Sequence, residues 1–331
     1  MSRPFDAITM GRTGVDIYPL QTGVGLAQVR TFGKYLGGTA TNVAVAAARL
    51  GHHSAVISRT GADPFGDYIH QALSEFGVDD RWVTPVREYP TPVTFCELFP
   101  PDNFPLYFYR YPKAPDLEIY PHEVDLDAVA EARIFWMTGT GLCAQPSRAA
   151  TMAALEHRNR RGTTVFDLDW RPMFWADRGE ARTRYREALG HVTVAVGNLD
   201  ECERAVGTRD PDAAAQALLD AGVELAVVKQ GPAGVLARTR DERIVAPPVP
   251  VEVVNGLGAG DAFGGALCHG LLAGWDIAHT MRFANAAGAL VASRLACSSA
   301  MPYEQEIEAM ISQQKLGAAR SSSQPESESR V

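Results

Sequence analysis

The residues best suited to chemistry lie in Val253–Gly274, VVNGLGAGDAFGGALCHGLLAG. Asn255–Gly260 is glycine-rich and Asp261 follows it. Phe263, Leu267 and Leu271 then recur at i, i+4 and i+8, the spacing of one helical face. Upstream, the apolar, β-branched run Val249–Val254 predicts a strand. The glycines therefore stand where a strand turns into a helix. The first N–H groups of a helix have no partner inside it and point out of its end. Glycine lets a ligand come close to that backbone. The N–H groups of Gly258, Ala259 and Gly260 can thus cradle a phosphoryl oxygen. In phosphoryl transfer a carboxylate beside the cradle can take the proton of the attacking hydroxyl. Asp261 is the candidate for that base. A helix N-cap is the other common task of Asp at such a place, and this segment alone does not choose between them.

A second segment, Gly37–Gly51 (GGTATNVAVAAARLG), sets Gly37 and Gly38 before a small-residue helix with Asn42 in its first turn. Such a turn suits either a polar ligand or plain packing. Asn198 and Glu201, in NLDE, have the spacing of a capping box. Lys229, before Gly231, could reach a phosphate but reads more readily as a solvated strand-end lysine. No GxxxxGK[ST] occurs, and no HRD or DFG set, so two common nucleotide-binding designs are excluded. Gly139–Ala144 (GTGLCA) formally matches a dinucleotide fingerprint. No acidic residue follows about 20 residues on at the end of the next strand, as that motif requires.

The elements that must position these residues alternate along the chain. Strand patterns at Phe5–Met10, Ser54–Ser58, Ile134–Thr138, Thr164–Leu168, Val192–Val196 and Leu225–Val228 are interleaved with helical ones. The helices include Asn42–Leu50, Pro64–Phe76, Ser147–Arg160, Pro211–Ala221, Ala262–Ala273 and Ile277–Ser293. This predicts an α/β fold, a mostly parallel central sheet with helices on both faces. Two segments, about 15–35 and 90–115, lack a crossover helix and hold aromatic, strand-like runs. They are expected to form a small antiparallel sheet standing off the main body as a lid. The main body then spans 1–312. Residues 313–331 are expected to be a disordered tail, being nearly free of apolar residues from Gly317 on.

Composition sets bounds on partners. The 331 residues are 46% hydrophobic and 21% charged, with a net charge of −8. That balance suits a globular domain and argues against nucleic acid or an anionic membrane as a partner. The five scattered cysteines contain no CxxC and predict reduced thiols in the cytoplasm. The N-terminus lacks the apolar run of a signal peptide, and no stretch reaches the ~20 apolar residues of a membrane span.

GGTATN and NGLGAGD, in this order and far apart in the chain, resemble the two signature regions of the PfkB sugar kinases. The resemblance covers about residues 5–312. The stretches MGRTGVDIYP and TPVTFCELFPPDNFPLYFYRYPKAPDLEI are similar to the branch that phosphorylates the 6-hydroxyl of a keto-deoxy sugar acid in myo-inositol catabolism. It implies a ribokinase-like fold, ATP and Mg²⁺ as partners of the reaction, and dimerisation through the lid. It also implies residue roles. Asp261 would be the base, with Gly258, Ala259 and Gly260 as the anion hole. Asp16, Gly37, Gly38 and Asn42 would hold the sugar, joined by Tyr109 and Arg110 from the lid, the arginine gripping a carboxylate. Arg171, Asn198, Glu201, Gly231 and Asn285 would serve ATP, Glu201 acting on Mg²⁺ indirectly. One departure stands out. Many members have Asp-Thr where this chain has Asn255-Gly256, and that pair helps hold a monovalent cation, so dependence on K⁺ stays open. Other sugars (2-keto-3-deoxygluconate, fructose, a nucleoside) and a non-catalytic sugar sensor are the alternative functions.

Overall fold

The computed structural model of the chain describes residues 4–322. It opens with β1 (Ala7–Met10), β2 (Gly14–Pro19), β3 (Phe32–Gly37), α1 (Thr39–Arg49), β4 (Ser54–Gly61) and α2 (Pro64–Glu75). Then come β5 (Asp79–Val86), β6 (Val93–Cys96), β7 (Leu106–Tyr109), α3 (Leu126–Glu131), β8 (Ile134–Thr138) and α4 (Ser147–Arg158). Next are β9 (Thr163–Asp167), α5 (Glu180–Leu189), β10 (Val194–Asn198), α6 (Leu199–Val206), α7 (Pro211–Asp220) and β11 (Leu225–Lys229). The chain closes with β12 (Val235–Arg238), β13 (Arg243–Ala246), α8 (Ala259–Ala273), α9 (Ile277–Ala292) and α10 (Glu304–Ser322).

Nine strands form the main sheet in the order β13-β12-β11-β10-β9-β8-β1-β4-β5. At one edge β12 pairs antiparallel with both β11 and β13, and the other pairings are parallel. The sheet is covered on both faces, and β8 shows why. In IFWMT, Ile134 and Trp136 enter the core beneath α1, α2, α8 and α9, while Phe135 and Met137 enter the core beneath α3 to α7. Side chains alternate faces along a strand, so an uninterrupted apolar run demands two cores. Burying each such side chain contributes about 1.5–3 kcal/mol. From β1 the chain leaves for the lid and returns as β4 on one side, and β8 lies on the other. The carboxyl ends of β1 and β8 thus border a topological switch point, the usual place for a ligand in such a sheet.

The second sheet, β3-β2-β6-β7, is the lid, built from the two segments expected to form one. It is mixed rather than antiparallel, since β2 and β6 run parallel. Three other expectations change. Val249–Val254 is extended but unpaired, because Pro247, Pro248 and Pro250 remove the donors a ladder needs. The β12–β13 hairpin and the charged α5 went unrecognised. The boundary placed at residue 312 falls inside α10, which runs to Ser322, and residues 323–331 lie outside the described residues.

Close packing between α1 and α8 prepares the site. A Cβ on Gly265 would lie 2.2 Å from Ala46 Cβ, and one on Gly264 would lie 2.7 Å from the Trp136 ring. Glycine on α8 against alanine on α1 lets the two helices approach closely, and both helices begin at the switch point.

Candidate active site

Gly258, with φ +80°, caps α8, and Asp261 is its third residue. The N-cap reading of Asp261 therefore fails. Its carboxylate turns away from the helix end and accepts a hydrogen bond of 2.7 Å from Asn42 Nδ2 on α1. Ser298 Oγ, 2.5 Å from Asn42 Oδ1, sets the amide the right way round. Burial raises the Asp261 pKa to about 6, against the opposing effect of the Asn42 bond. Such a carboxylate is ionised at neutral pH and basic enough to accept a proton. The first helical hydrogen bond of this turn runs from Ala262 N to Gly258 O at 2.9 Å. The N–H groups of Ala259, Gly260 and Asp261 precede it and remain available. Gly258 cannot be replaced cheaply, since its φ is positive and a Cβ would lie 2.6 Å from Cys297 Sγ.

A cavity of about 260 Å³ opens in front of Asp261, between the lid and the sheet. The lid strands present alternate residues to it. Asp16 and Tyr18 come from β2, Thr94 from β6, and Leu106 and Phe108 from β7. The Tyr18 hydroxyl donates to Asp16 Oδ2 at 2.7 Å. Burial raises Asp16 to about 6 despite that bond. Gly37 does not line the cavity but makes room for Asp16, because a Cβ there would lie 2.3 Å from its carboxyl carbon. Gly38, at φ +100°, begins α1 beside the Arg12 carbonyl. Arg12 also lines this cavity, though nothing in the sequence singled it out.

The other end of the cavity is dense with charge. Asp169 accepts from Arg12 Nη2 at 3.0 Å and from Thr140 Oγ1 at 3.2 Å, and pairs with Arg171 Nη2 at 3.1 Å. Burial opposes its charge, yet the two guanidinium groups hold its carboxyl well below the usual range. Burial pushes Asp167 well above that range. Lys229 is half-buried and faces the site, its Nζ 3.2 Å from where a Gly260 Cβ would stand. Burial works against its charge, but Glu201, Asp167 and Asp261 more than offset that and raise its pKa. The expectation of a solvated lysine is thus corrected: the strand end carries it into the cleft.

Asn198 and Glu201 do form the capping box of α6. Asn198 Oδ1 accepts from Glu201 N at 2.9 Å, and Glu201 Oε2 accepts from Asn198 N at 2.7 Å. Both also line the cavity, and Glu201 Oε1 is left with only a long contact, 3.8 Å, to Arg171. The cap fixes the carboxylate that a metal could use. Among the described residues no group of three or more His, Cys, Asp or Glu could cage a metal ion. Mg²⁺ keeps waters and takes one or two carboxylates together with substrate phosphates, and Glu201 is a carboxylate placed for that.

A second cavity, about 600 Å³, meets the first at Lys229, Gly256 and Gly260. Its walls are largely apolar: Val249, Val251, Val253, Phe263, Ala289 and Ala292, with Gly231, Asn285 and Ala259 at its margin. Asn285 braces it by donating to the Pro247 carbonyl at 2.8 Å. The lid tip contributes Pro101 and Asp102.

Most expected residues are brought together, and two are not. Tyr109 lies on the outer face of the lid, 64% exposed, because β7 alternates and turns Phe108 inward instead. Arg110 is buried in an ion pair with Asp116 at 2.8 Å and does not line the cavity. The Gly139–Ala144 fingerprint also fails, since a Cβ on Gly139 would lie 2.2 Å from the Leu168 carbonyl. Its glycines pack inside the protein and offer no backbone to a pyrophosphate. The sequence reading missed Arg12, Tyr18, Phe108, Asp167 and Asp169. The last two had a visible signal, as DLDWR places two acids at the carboxyl end of a strand.

The model of the family described as "pfkB family carbohydrate kinase" matches residues 6–304. The 5-dehydro-2-deoxygluconokinase of Photobacterium profundum is 35% identical over 308 residues, covering 91% of this chain and 92% of the relative. That of Geobacillus kaustophilus is 33% identical, covering 96% of each. The crystal structure of a candidate ribokinase II from E. coli in complex with ATP and Mg²⁺ superposes with a TM-score of 0.85 at 25% identity. It covers 93% of this chain and 99% of that one.

Proposed function

The chain belongs to the pfkB family of carbohydrate kinases, and from that premise we propose that it transfers the γ-phosphoryl group of ATP to the 6-hydroxyl of 5-dehydro-2-deoxy-D-gluconate. The observation that carries the reading is one of geometry. A half-buried carboxylate with a pKa raised to about 6 stands at the glycine-rich start of a helix, where a polar cavity meets an apolar one. The relatives' shared name supplies the acceptor.

In this reading the sugar lies under the lid against Asp16, Gly38 and Asn42, and the adenine lies in the apolar cavity. Asp261 takes the proton of the 6-hydroxyl as that oxygen attacks. The N–H groups at the start of α8 and the Lys229 ammonium receive the charge that builds on the transferred group. Asn42 keeps the Asp261 carboxylate in place. Arg171 balances Asp169 and Glu201 next to the phosphates. Glu201, with Asn198 and Asp167 nearby, would hold Mg²⁺, which neutralises phosphate charge when bound. Lid residues Tyr18, Leu106 and Phe108 exclude water that would otherwise hydrolyse ATP.

Asn255 bears on K⁺. Its Nδ2 donates to the Leu295 carbonyl at 2.7 Å, and its Oδ1 accepts from Leu257 N at 3.0 Å. The bond from Leu257 N uses one lone pair of Oδ1 and leaves the other, so the side chain offers an ion one neutral oxygen and no carboxylate. We expect at most weak stimulation by K⁺, and a strong dependence of the rate on K⁺ at constant ionic strength would overturn that expectation. The outer lid face exposes Phe32, Tyr107 and Tyr109 beside Phe95. A second copy of the chain is proposed to cover this face, which sedimentation of the wild type and Tyr109→Glu would test. The five free, buried cysteines support the cytoplasm as its location. Among the described residues no helix is long and apolar enough to cross a membrane.

The test is ATP consumption with Mg²⁺ against 5-dehydro-2-deoxygluconate, 2-keto-3-deoxygluconate, fructose, ribose and adenosine. Preference for the first supports the proposal. Preference for another keeps the kinase and discards the acceptor.

A further inference from the structure

A sugar acid carries a carboxylate at the end opposite its 6-hydroxyl, and a buried site must neutralise it. Among the described residues lining the transfer cavity the cations are Arg12, Arg171 and Lys229. Lys229 lies beside Gly260, where the two cavities join. Arg171 is shared between Asp169 and Glu201, at the cap of α6. Both belong to the phosphate end. Arg110, the sequence candidate for this task, is buried against Asp116 with its guanidinium 4.6 Å from the Phe174 ring centre.

Arg12 differs from all three. It leaves the end of β1 and is held rigidly. Its Nε donates to Thr140 Oγ1 at 3.2 Å, and its Nη2 donates to Thr39 Oγ1 at 2.5 Å and to Asp169 Oδ2 at 3.0 Å. Its Nη1 makes no hydrogen bond with any described residue and is not a buried orphan. The guanidinium lies 5.9 Å from the Phe108 ring centre and 5.6 Å from that of Phe174, which shield it from water. A planar donor fixed on two nitrogens, with the third open to a cavity, is made to receive an anion.

The placement agrees. Arg12 is anchored on Thr39 and Asp261 on Asn42, one turn apart on α1. Both line one cavity, so an extended acceptor can turn its hydroxyl end to Asp261 and its carboxylate end to Arg12.

We propose that Arg12, through its Nη1 edge, binds the carboxylate of the acceptor and makes the enzyme selective for sugar acids over neutral sugars. This rests on the sugar-acid reading above. A purely bracing Arg12 would affect charged and neutral acceptors alike, so the test compares 5-dehydro-2-deoxygluconate with its primary carboxamide. Wild type should favour the acid in kcat/KM by about 10²-fold, the scale of a lost hydrogen bond to a charged group. Arg12→Met should lose about that factor on the acid and little on the amide, with ATP affinity kept as a check on folding. Arg12→Lys keeps a cation beside Asp169, so it spares the fold if Arg12→Met does not, and it should still erode the preference. Arg110→Met should retain it. An active wild type indifferent to the carboxylate, an Arg12→Met enzyme that keeps the preference, or its loss in Arg110→Met instead, overturns the assignment alone. A wild type inactive on both acid and amide overturns the acceptor reading itself, and this assignment with it.

Discussion

The two cavities that meet at Gly260 are built on opposite principles. The smaller one is lined by Arg12, Asp16, Asp167, Asp169, Arg171, Glu201, Lys229 and Asp261, and most of these groups are held by a hydrogen bond or an ion pair. The larger one is lined by valines, prolines, alanines and Phe263, from a proline-rich extended segment and the faces of α8 and α9. In the proposed reaction the difference sets what each cavity does. An apolar slot would hold a flat base by burial and shape, an interaction equally strong before and during the reaction. Fixed charges act on charge that moves, so they act chiefly in the transition state. Changes in the polar cavity should therefore appear in kcat, and changes in the apolar one in KM for ATP.

The largest effect that would break or sharpen this contrast is expected from Asp261→Asn. The amide keeps the shape and the Asn42 contact but cannot take the proton. Steady-state kinetics should show kcat lower by at least about 10²-fold with ATP affinity retained. Near-normal turnover would remove Asp261 from the base role. Lys229→Met strikes the junction and should move both constants, with kcat/KM for ATP falling roughly 10- to 100-fold, the range of a charged hydrogen bond. An effect on KM alone would assign Lys229 to binding only.

The pH profile comes next. Asp261 and Asp16 are both raised to about 6 by burial, and the proposed mechanism uses both as carboxylates. Protonation removes that form, so kcat/KM should fall as pH drops through about 6, by tenfold or more per unit below it. The Asp261→Asn enzyme should show a shallower limb. A flat wild-type profile from about pH 5 to about pH 8 would contradict the base assignment. The smallest effect is expected from Ala289→Leu, which fills part of the apolar cavity. KM for ATP should rise about tenfold, with kcat at saturating ATP close to wild type. A drop in kcat instead would erase the distinction between the cavities.

Legibility in the sequence followed the same divide. The apolar runs of β8 and β11, the glycine loop and the Ala-rich α1 could be read because each is a local pattern with a local cause. The lid could be placed because two aromatic segments had no crossover helix. Its facing could not be read. Tyr109 and Arg110 drew attention by residue type, yet β7 turns Phe108 inward, and Asp116, six residues on, claims the arginine. Lys229 looked solvated because a strand end says nothing of what stands opposite.

By itself, then, the sequence determined the α/β layering, the helix start that offers free N–H groups, and the presence of Asp261 among them. Those follow from periodicity, from glycine's freedom and from the open end of a helix, which are properties of short segments. Only the tertiary structure decided that Asp261 is not the cap of α8 and meets Asn42, on a helix 219 residues away, which frees it for the base role proposed above. It also decided that Arg12, Thr140 and Asp169, from three loops, form one cluster. Charge acts through space over a few ångströms, and only packing sets which charges come that close.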